Sequence, residues 1–185
     1  MGHKGAETRE RLLDATQDLV EAAGYAGAGL NQVIALSGAP RGSLYFHFPG
    51  GKDQLVAESV RRAGRRIGEA MDALAATAPT VAAFAEGMLR LLGDRLEESG
   101  WSKGCPVATV ALETAAGSDP LQQVCSQVYR SWEDALRARL RGRPDADDLA
   151  LTILALVEGA LLLARTHRDR EPLNRVSRQI AALLR

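Results

Sequence analysis

Apolar residues recur every three to four positions along most of the 185-residue chain, and this spacing constrains the fold more than any other feature. In the segment Thr8–Ala23, for example, Leu12, Leu19 and Val20 fall on one helical face, and Gly24 ends the pattern. The apolar–polar alternation that is typical of a strand does not occur in the sequence. We therefore predict an all-α protein of about nine helices.

The composition limits what the protein can bind and where it functions. The formal net charge is zero, so any attraction to nucleic acid or anionic lipid has to come from a local patch. Cys105 and Cys125 form neither a disulfide framework nor a zinc motif, and we expect reduced thiols, no metal and no cofactor. The polar N-terminus does not resemble a secretory signal.

The longest apolar run, Leu149–Ala164, bears on whether the chain enters a membrane. It contains Glu158 and is shorter than the roughly twenty residues that span a bilayer. We therefore expect a soluble cytoplasmic protein with no membrane partner.

The stretch "SGAPRGSLYFHFPGGK", Ser37–Lys52, differs from its surroundings because glycine, proline and aromatic residues are concentrated in it. Gly38 separates two short helical segments, Leu30–Ser37 and a second that begins at Pro40 and ends at Tyr45 or His47. Two short helices joined by so tight a turn predict a helix-turn-helix motif.

Two enzymatic readings of this stretch fit the residues less well. A phosphate-binding loop needs glycine five residues before its Gly-Lys pair and Ser or Thr after it, but Phe46 and Asp53 occupy those positions. His47 could act as a general base near Ser43, but no third group that would orient the histidine can be named. We therefore predict that the protein is not an enzyme.

The second short helix has the residues expected of a helix that reads DNA. Leu44 and Phe48 share a face and can anchor the helix in the core, where Phe46 is also expected. Arg41 and Tyr45 then point outward, and an arginine can pair with a guanine edge in the major groove. Gly42 permits close approach, whereas the polar groups of Ser43, Tyr45, His47 and Lys52 suit phosphate oxygens.

The strings "TRERLLDA", "GSLYFHF" and "KDQL" resemble the DNA-binding domain of the TetR family of bacterial transcriptional repressors. The resemblance implies that the third helix is the recognition helix. It places Asn31, Arg41, Gly42, Ser43, Tyr45, His47 and Lys52 at DNA-contact positions. Ala28 and Gly29 depart from the Thr or Ser that is usual in the family. "SGAPRGSLY", "FPGGK" and "GCPVATVALE" are similar to the LmrA/YxaF-type subgroup.

The rest of the chain is expected to form a larger helical domain. We predict a DNA-binding domain over residues 1–51 and a ligand-binding and dimerisation domain over residues 52–185, linked by a helix from about residue 52. The apolar segments Ala146–Arg165 and Leu173–Leu184 are candidates for self-association, and the family resemblance implies dimerisation through the last two helices. The candidate interface residues are Leu156, Gly159, Ala160, Leu163, Ile180 and Leu183.

Large side chains in this second domain are candidates for lining a ligand pocket. They are Met71, Phe84, Met88, Leu92, Trp101, Val110, Glu113, Tyr129 and Trp132. The resemblance implies a homodimeric repressor that binds a palindromic operator in double-stranded DNA and is released by a small apolar or amphipathic inducer. The alternative is a helical small-molecule-binding protein that does not bind DNA. The outward-facing polar residues argue against it; they are Arg41, Tyr45, His47 and Lys52.

Overall fold

The structure, a computed structural model, describes residues 3–185, and within them every regular element is an α-helix. The prediction of an all-α chain of about nine helices is confirmed over this range. The helices are α1 (His3–Gly27), α2 (Leu30–Ser37), α3 (Arg41–His47), α4 (Gly51–Thr77), α5 (Val81–Glu98), α6 (Pro106–Thr114), α7 (Asp119–Arg139), α8 (Ala146–His167) and α9 (Glu171–Leu183).

Glycines and capping side chains set the helix boundaries, which is why most predicted bounds agree with the structure within a few residues. The left-handed Gly38, at φ 62°, ends α2 and donates its N–H to the Ile34 carbonyl. The Thr80 hydroxyl accepts the Ala83 N–H at 3.1 Å and starts α5. At Gly24 the backbone leaves the helical region with φ 69°, but helical turns resume and α1 continues to Gly27.

The chain divides into two compact units, and the division does not follow the predicted boundary at residue 51. The first unit contains the N-terminal residues through Gly64 together with Pro106–Val128. In it, α1 packs against α2, α3 and α6, so a helix from the middle of the chain shares a unit with the N-terminal helices.

The second unit contains Arg65–Cys105 and Tyr129–Arg185. Helices α5, α8 and α9 pack against one another, and Phe84, Ile153 and Ile180 are fully buried. Arg139 donates to the carbonyl oxygens of Ala75 and Ala78, at 2.9 and 3.3 Å. These bonds satisfy carbonyls at the C-terminal end of α4.

Helix α8 has 22 residues and by length and composition alone could cross a membrane. The apolar run Leu149–Ala164 is shorter than the helix that contains it. The length argument made from that run therefore does not exclude a membrane span. Within the second unit α8 packs against α5 and α9, and 33% of its most apolar window is buried. Core helices of soluble proteins have the same composition.

Candidate DNA-binding surface

The turn between α2 and α3 is held by local hydrogen bonds that fix the angle of the motif. The Ser37 hydroxyl accepts the Ala39 N–H at 3.2 Å, and the Ser37 carbonyl accepts from Arg11 of α1 at 3.2 Å. Pro40 precedes the first residue of α3, and its carbonyl accepts the Ser43 N–H at 2.9 Å. The predicted helix-turn-helix is therefore present with its short connection.

One side of α3 is buried in the core of the first unit. Leu44 and Phe48 are both 0% exposed and belong to a cluster with Val33 of α2 and Leu12 and Leu55 of the flanking helices. Leu30 and Ile34 pack against the same cluster. The predicted anchoring of α3 by Leu44 and Phe48 is confirmed.

The other side of α3 faces solvent. Its four exposed residues, Arg41, Gly42, Tyr45 and Phe46, are here called the reading face. The Arg41 Nη2 atom donates to the Asn31 Oδ1 atom of α2 at 2.7 Å. The outward orientation predicted for Arg41 and Tyr45 is confirmed, and Asn31 holds the guanidinium at the junction of the two helices.

Phe46 and His47 differ from what their residue types suggested. The expectation that Phe46 lies in the core is wrong, because its side chain is 73% exposed. The ring of His47 packs edge-on against that of Phe46, with centroids 5.1 Å apart. The His47 Nδ1 atom is buried and has no hydrogen-bond partner among residues 3–185. Any phosphate contact of this imidazole therefore falls to Nε2.

Lys52, at the start of α4, is positioned by a tyrosine that the sequence reasoning did not identify. Its Nζ atom lies 4.1 Å from the ring centroid of Tyr25 in α1. The Tyr25 hydroxyl donates to the Asp53 carboxylate at 2.6 Å, and this hydrogen bond together with burial raises the pKa of Tyr25 to about 12. The tyrosine is therefore neutral and fixed, and it presents an aromatic face to the ammonium group.

Ion pairs hold α4 against α1 beneath this surface. The buried Arg62 guanidinium pairs with Glu10 at 2.7 Å and with Asp14 at 2.6 Å. Arg9 pairs with Glu58, which also accepts from Gln54 at 2.9 Å. Arg62 lies in the arginine-rich segment 61–66, and only the fold distinguishes it from its solvated neighbours.

Comparisons with known proteins identify the family. The profile of bacterial regulatory proteins of the tetR family matches residues 12–59, the helix-turn-helix with its flanking helices. The profile of the LmrA/YxaF-like transcriptional regulator C-terminal domain matches residues 80–179. The chain belongs to the TetR family of transcriptional regulators. It is a DNA-binding regulator and not an enzyme.

Similar proteins cover nearly the whole chain. The HTH-type transcriptional regulator LmrA of Bacillus subtilis is 35% identical over 97% of each chain. YxaF, an HTH-type regulator of the same organism, is 33% identical over 97% of this chain and 96% of its own. The crystal structure of a TetR regulator from Chloroflexus aurantiacus is 29% identical, covers 98% of this chain and 96% of that one, and superposes with a TM-score of 0.84.

Two of the pocket candidates of this TetR-family protein lie in the first unit, in α6. Val110 is fully buried, and the Glu113 carboxylate accepts the Ala26 N–H at 2.8 Å. In the same contact, the Thr109 hydroxyl donates to the Val20 carbonyl at 3.1 Å. Glu113 thus binds the backbone of α1 just after its break at Gly24, which is a structural task that sequence spacing could not reveal.

The other pocket candidates lie in the second unit of the regulator. Met71, Phe84, Met88 and Trp132 are buried, and Leu92, Trp101 and Tyr129 are partly buried. The Arg139 guanidinium lies 4.9 Å from the Phe84 ring centroid, and the Tyr129 and Trp132 rings are T-shaped at 5.6 Å.

A carboxyl group is hydrogen-bonded to one of these side chains, Tyr129. Glu158 of α8 accepts hydrogen bonds from Cys105 and Tyr129, both neutral donors. Desolvation raises the pKa of the Glu158 carboxyl above its usual value despite these bonds.

The candidate dimer residues of this TetR-family chain divide into an exposed and a buried set. Leu163 and Leu183 are 49% and 46% exposed, and Gly159 faces open space. Leu156 is partly buried. Ala160 and Ile180 are 2% and 0% exposed, so their side chains pack inside the protomer's own core and are not available to a partner.

Proposed function

We propose that the protein is a homodimeric repressor that binds a palindromic operator and is released by a small apolar or amphipathic ligand. The observation that carries this proposal is the reading face, in which Arg41 is exposed and held by Asn31 while Leu44 on the opposite side is buried. A fixed guanidinium loses little conformational entropy when it pairs with the O6 and N7 atoms of a guanine.

Dimerisation supplies the sequence specificity that one short helix lacks. A single recognition helix touches few base pairs, and a twofold dimer doubles them on an inverted repeat. Leu151, Leu162 and Leu163 of α8 are between 49% and 58% exposed, and Leu183 of α9 is 46% exposed. Exposed leucines on two packed helices favour a second copy of this chain as their partner.

The second unit supplies the groups for an inducer site. Trp132 and Met71 offer apolar surface, and Tyr129 and Glu158 offer polar groups that would orient a bound molecule. A ligand that prefers a conformation with misplaced recognition helices lowers operator affinity through linkage, typically by about 1–3 kcal/mol. Helix α4, which begins beside Lys52 and continues through Thr77, is the covalent route for that change.

Phosphate contacts would provide most of the affinity. Ser43, Tyr45, His47 and Lys52 in two subunits would make roughly six to ten such contacts, so affinity should fall by about 10³–10⁵ between about 50 and 200 mM salt. A regulator of this kind acts where the chromosome is, and we therefore propose a cytoplasmic location.

A mobility-shift assay with DNA from upstream of the protein's own gene tests the proposal. The wild-type protein should retard this DNA in the presence of excess unrelated duplex, and Arg41→Ala should discriminate less between the two. A ligand screen then measures release of the retarded fragment. Equal affinity of the wild-type protein for both duplexes would refute operator recognition, and unchanged operator affinity across a broad screen would refute induction.

A further inference from the structure

Phe46 is more exposed than any other phenylalanine, tyrosine or tryptophan in residues 3–185. Its ring is 73% exposed, against 53% for Tyr45, which has a hydroxyl group for water to solvate. Burying a phenylalanine is worth about 1.5–3 kcal/mol, and here the fold forgoes that gain. An apolar ring left in solvent on a functional surface indicates a partner that covers it.

The helical register puts Phe46 on the side of α3 that lies opposite the core. At 100° per residue, Gly42 and Phe46 each lie about 160° around the helix axis from the buried Leu44. Nothing lies within 4 Å of a Cβ atom built on Gly42. The part of α3 farthest from the core therefore consists of the Gly42 backbone and, one turn later, the Phe46 ring.

The chemistry of the ring selects what it can contact in a duplex. Phenylalanine has no donor or acceptor, so it can read neither a base-edge hydrogen bond nor a phosphate oxygen. The apolar group in the major groove is the 5-methyl group of thymine, which cytosine lacks. Arg41 and Tyr45 on the neighbouring side of the helix provide the polar contacts that bring the ring to the groove.

We propose that Phe46 packs against the 5-methyl group of one thymine in each half-site and so specifies thymine there. This inference rests on the proposed operator binding. It assigns a base preference to Phe46, which is not among the residues expected to form hydrogen bonds with DNA.

The test replaces single thymines of the bound operator by deoxyuridine, which removes only the methyl group. For the wild-type protein, one position per half-site should lose about fourfold in affinity, the value of one buried methyl group. Phe46→Ala should bind the thymine and deoxyuridine duplexes equally. Phe46→Leu should retain part of the difference, because an apolar side chain remains.

Leu112→Ala is the matched control, since Leu112 is an apolar side chain of α6 that is 82% exposed. This variant should keep the full wild-type sensitivity to deoxyuridine. Wild-type binding that is insensitive to the methyl group at every thymine, or equal sensitivity in Phe46→Ala, would overturn the inference while leaving operator binding intact. A wild-type protein that binds no operator would overturn both.

Discussion

The Arg41 guanidinium and the Asn31 side-chain oxygen form a 2.7 Å hydrogen bond that joins the recognition helix to the helix before it. Both residues are exposed, so the bond orients a charged group that the core does not touch. The bond leaves further guanidinium N–H groups for a guanine edge. Asn31 therefore acts by positioning Arg41.

Arg41→Ala should relax discrimination at one base pair per half-site by about 1–3 kcal/mol, because the bidentate contact with guanine is lost. A selection of bound sequences from a random pool measures this preference. Asn31→Ala should weaken the same preference by a smaller amount, since the arginine remains but is no longer oriented. An unchanged base preference in Arg41→Ala would contradict the assignment.

Lys52→Ala should weaken binding to all DNA sequences alike and reduce the slope of log affinity against log salt by about 1 per subunit. The reason is that the lysine addresses a phosphate rather than a base. Tyr25→Ala should produce part of this change, because the aromatic face 4.1 Å from the ammonium is removed. Tyr25→Phe retains that face and should keep the wild-type salt slope; a slope that falls as far as in Tyr25→Ala would argue against the ring's role.

Gly24→Ala should lower the free energy of unfolding by about 1–3 kcal/mol. Gly24 has φ 69° and ψ −166°, a conformation that only glycine adopts without strain. A Cβ atom there would also clash with the Glu113 Oε1 atom, but this flexible carboxylate can move. Urea denaturation of Gly24→Ala, Glu113→Ala and the double variant separates the two effects. If Glu113→Ala fully restored the stability of Gly24→Ala, backbone strain would not be the cause.

Glu158→Gln should change how stability depends on pH. Because burial raises the pKa of Glu158 in the folded chain, the folded state binds more protons than the unfolded state from pH 4.5 up to the raised value. The contribution of Glu158 to the stability of the wild-type protein therefore falls as the pH rises from 4.5 to the raised pKa. Glutamine has no such titration, so the variant's melting temperature should match that of the wild type in acid and exceed it at neutral pH.

Thermal unfolding across a pH series checks this expectation, with Glu98→Gln as the control because Glu98 is an exposed carboxylate of α5. The control should keep the wild-type pH dependence. If the melting temperatures of Glu158→Gln and the wild type differed by the same amount from acid to neutral pH, the predicted linkage to Glu158 protonation would be contradicted.

Leu163→Glu should convert the proposed dimer to a monomer, since an unpaired charge buried in an interface costs about 3–5 kcal/mol. Sedimentation velocity measures the change. Leu112→Glu, at a leucine that is 82% exposed on α6, should remain dimeric. If both variants sedimented as the wild type does, α8 would not form the interface.

Local chemistry explains why the element bounds and the helix-turn-helix could be predicted. The bounds of α2 agree with the sequence prediction because Gly29 and Gly38 directly flank its first and last residues. Leu44 and Phe48 could be assigned to the core from their spacing alone. Phe46 was misassigned because its residue type was weighed more heavily than its register.

Contacts between residues distant in sequence could not be predicted. Glu113 lies 87 residues from Ala26, and no local pattern indicates that its carboxylate accepts that backbone N–H. Arg62 is buried and pairs with two acidic residues of α1, an arrangement that the pattern within either helix does not indicate. The side of α8 on which Ala160 is buried could not be predicted either, because a helix that is apolar nearly all round has no sequence pattern that marks its buried face.

A selection of genomic DNA fragments by the wild-type protein is the decisive measurement of operator recognition. We expect enrichment of an inverted repeat whose half-sites are separated by a whole number of helical turns, about 10–10.5 base pairs each. Arg41→Ala should enrich this repeat more weakly, with its preference relaxed at one base pair per half-site, while still retaining DNA at low salt. A wild-type pool with no enriched repeat, or an Arg41→Ala pool with the wild-type preference at every base pair, would contradict operator recognition through α3.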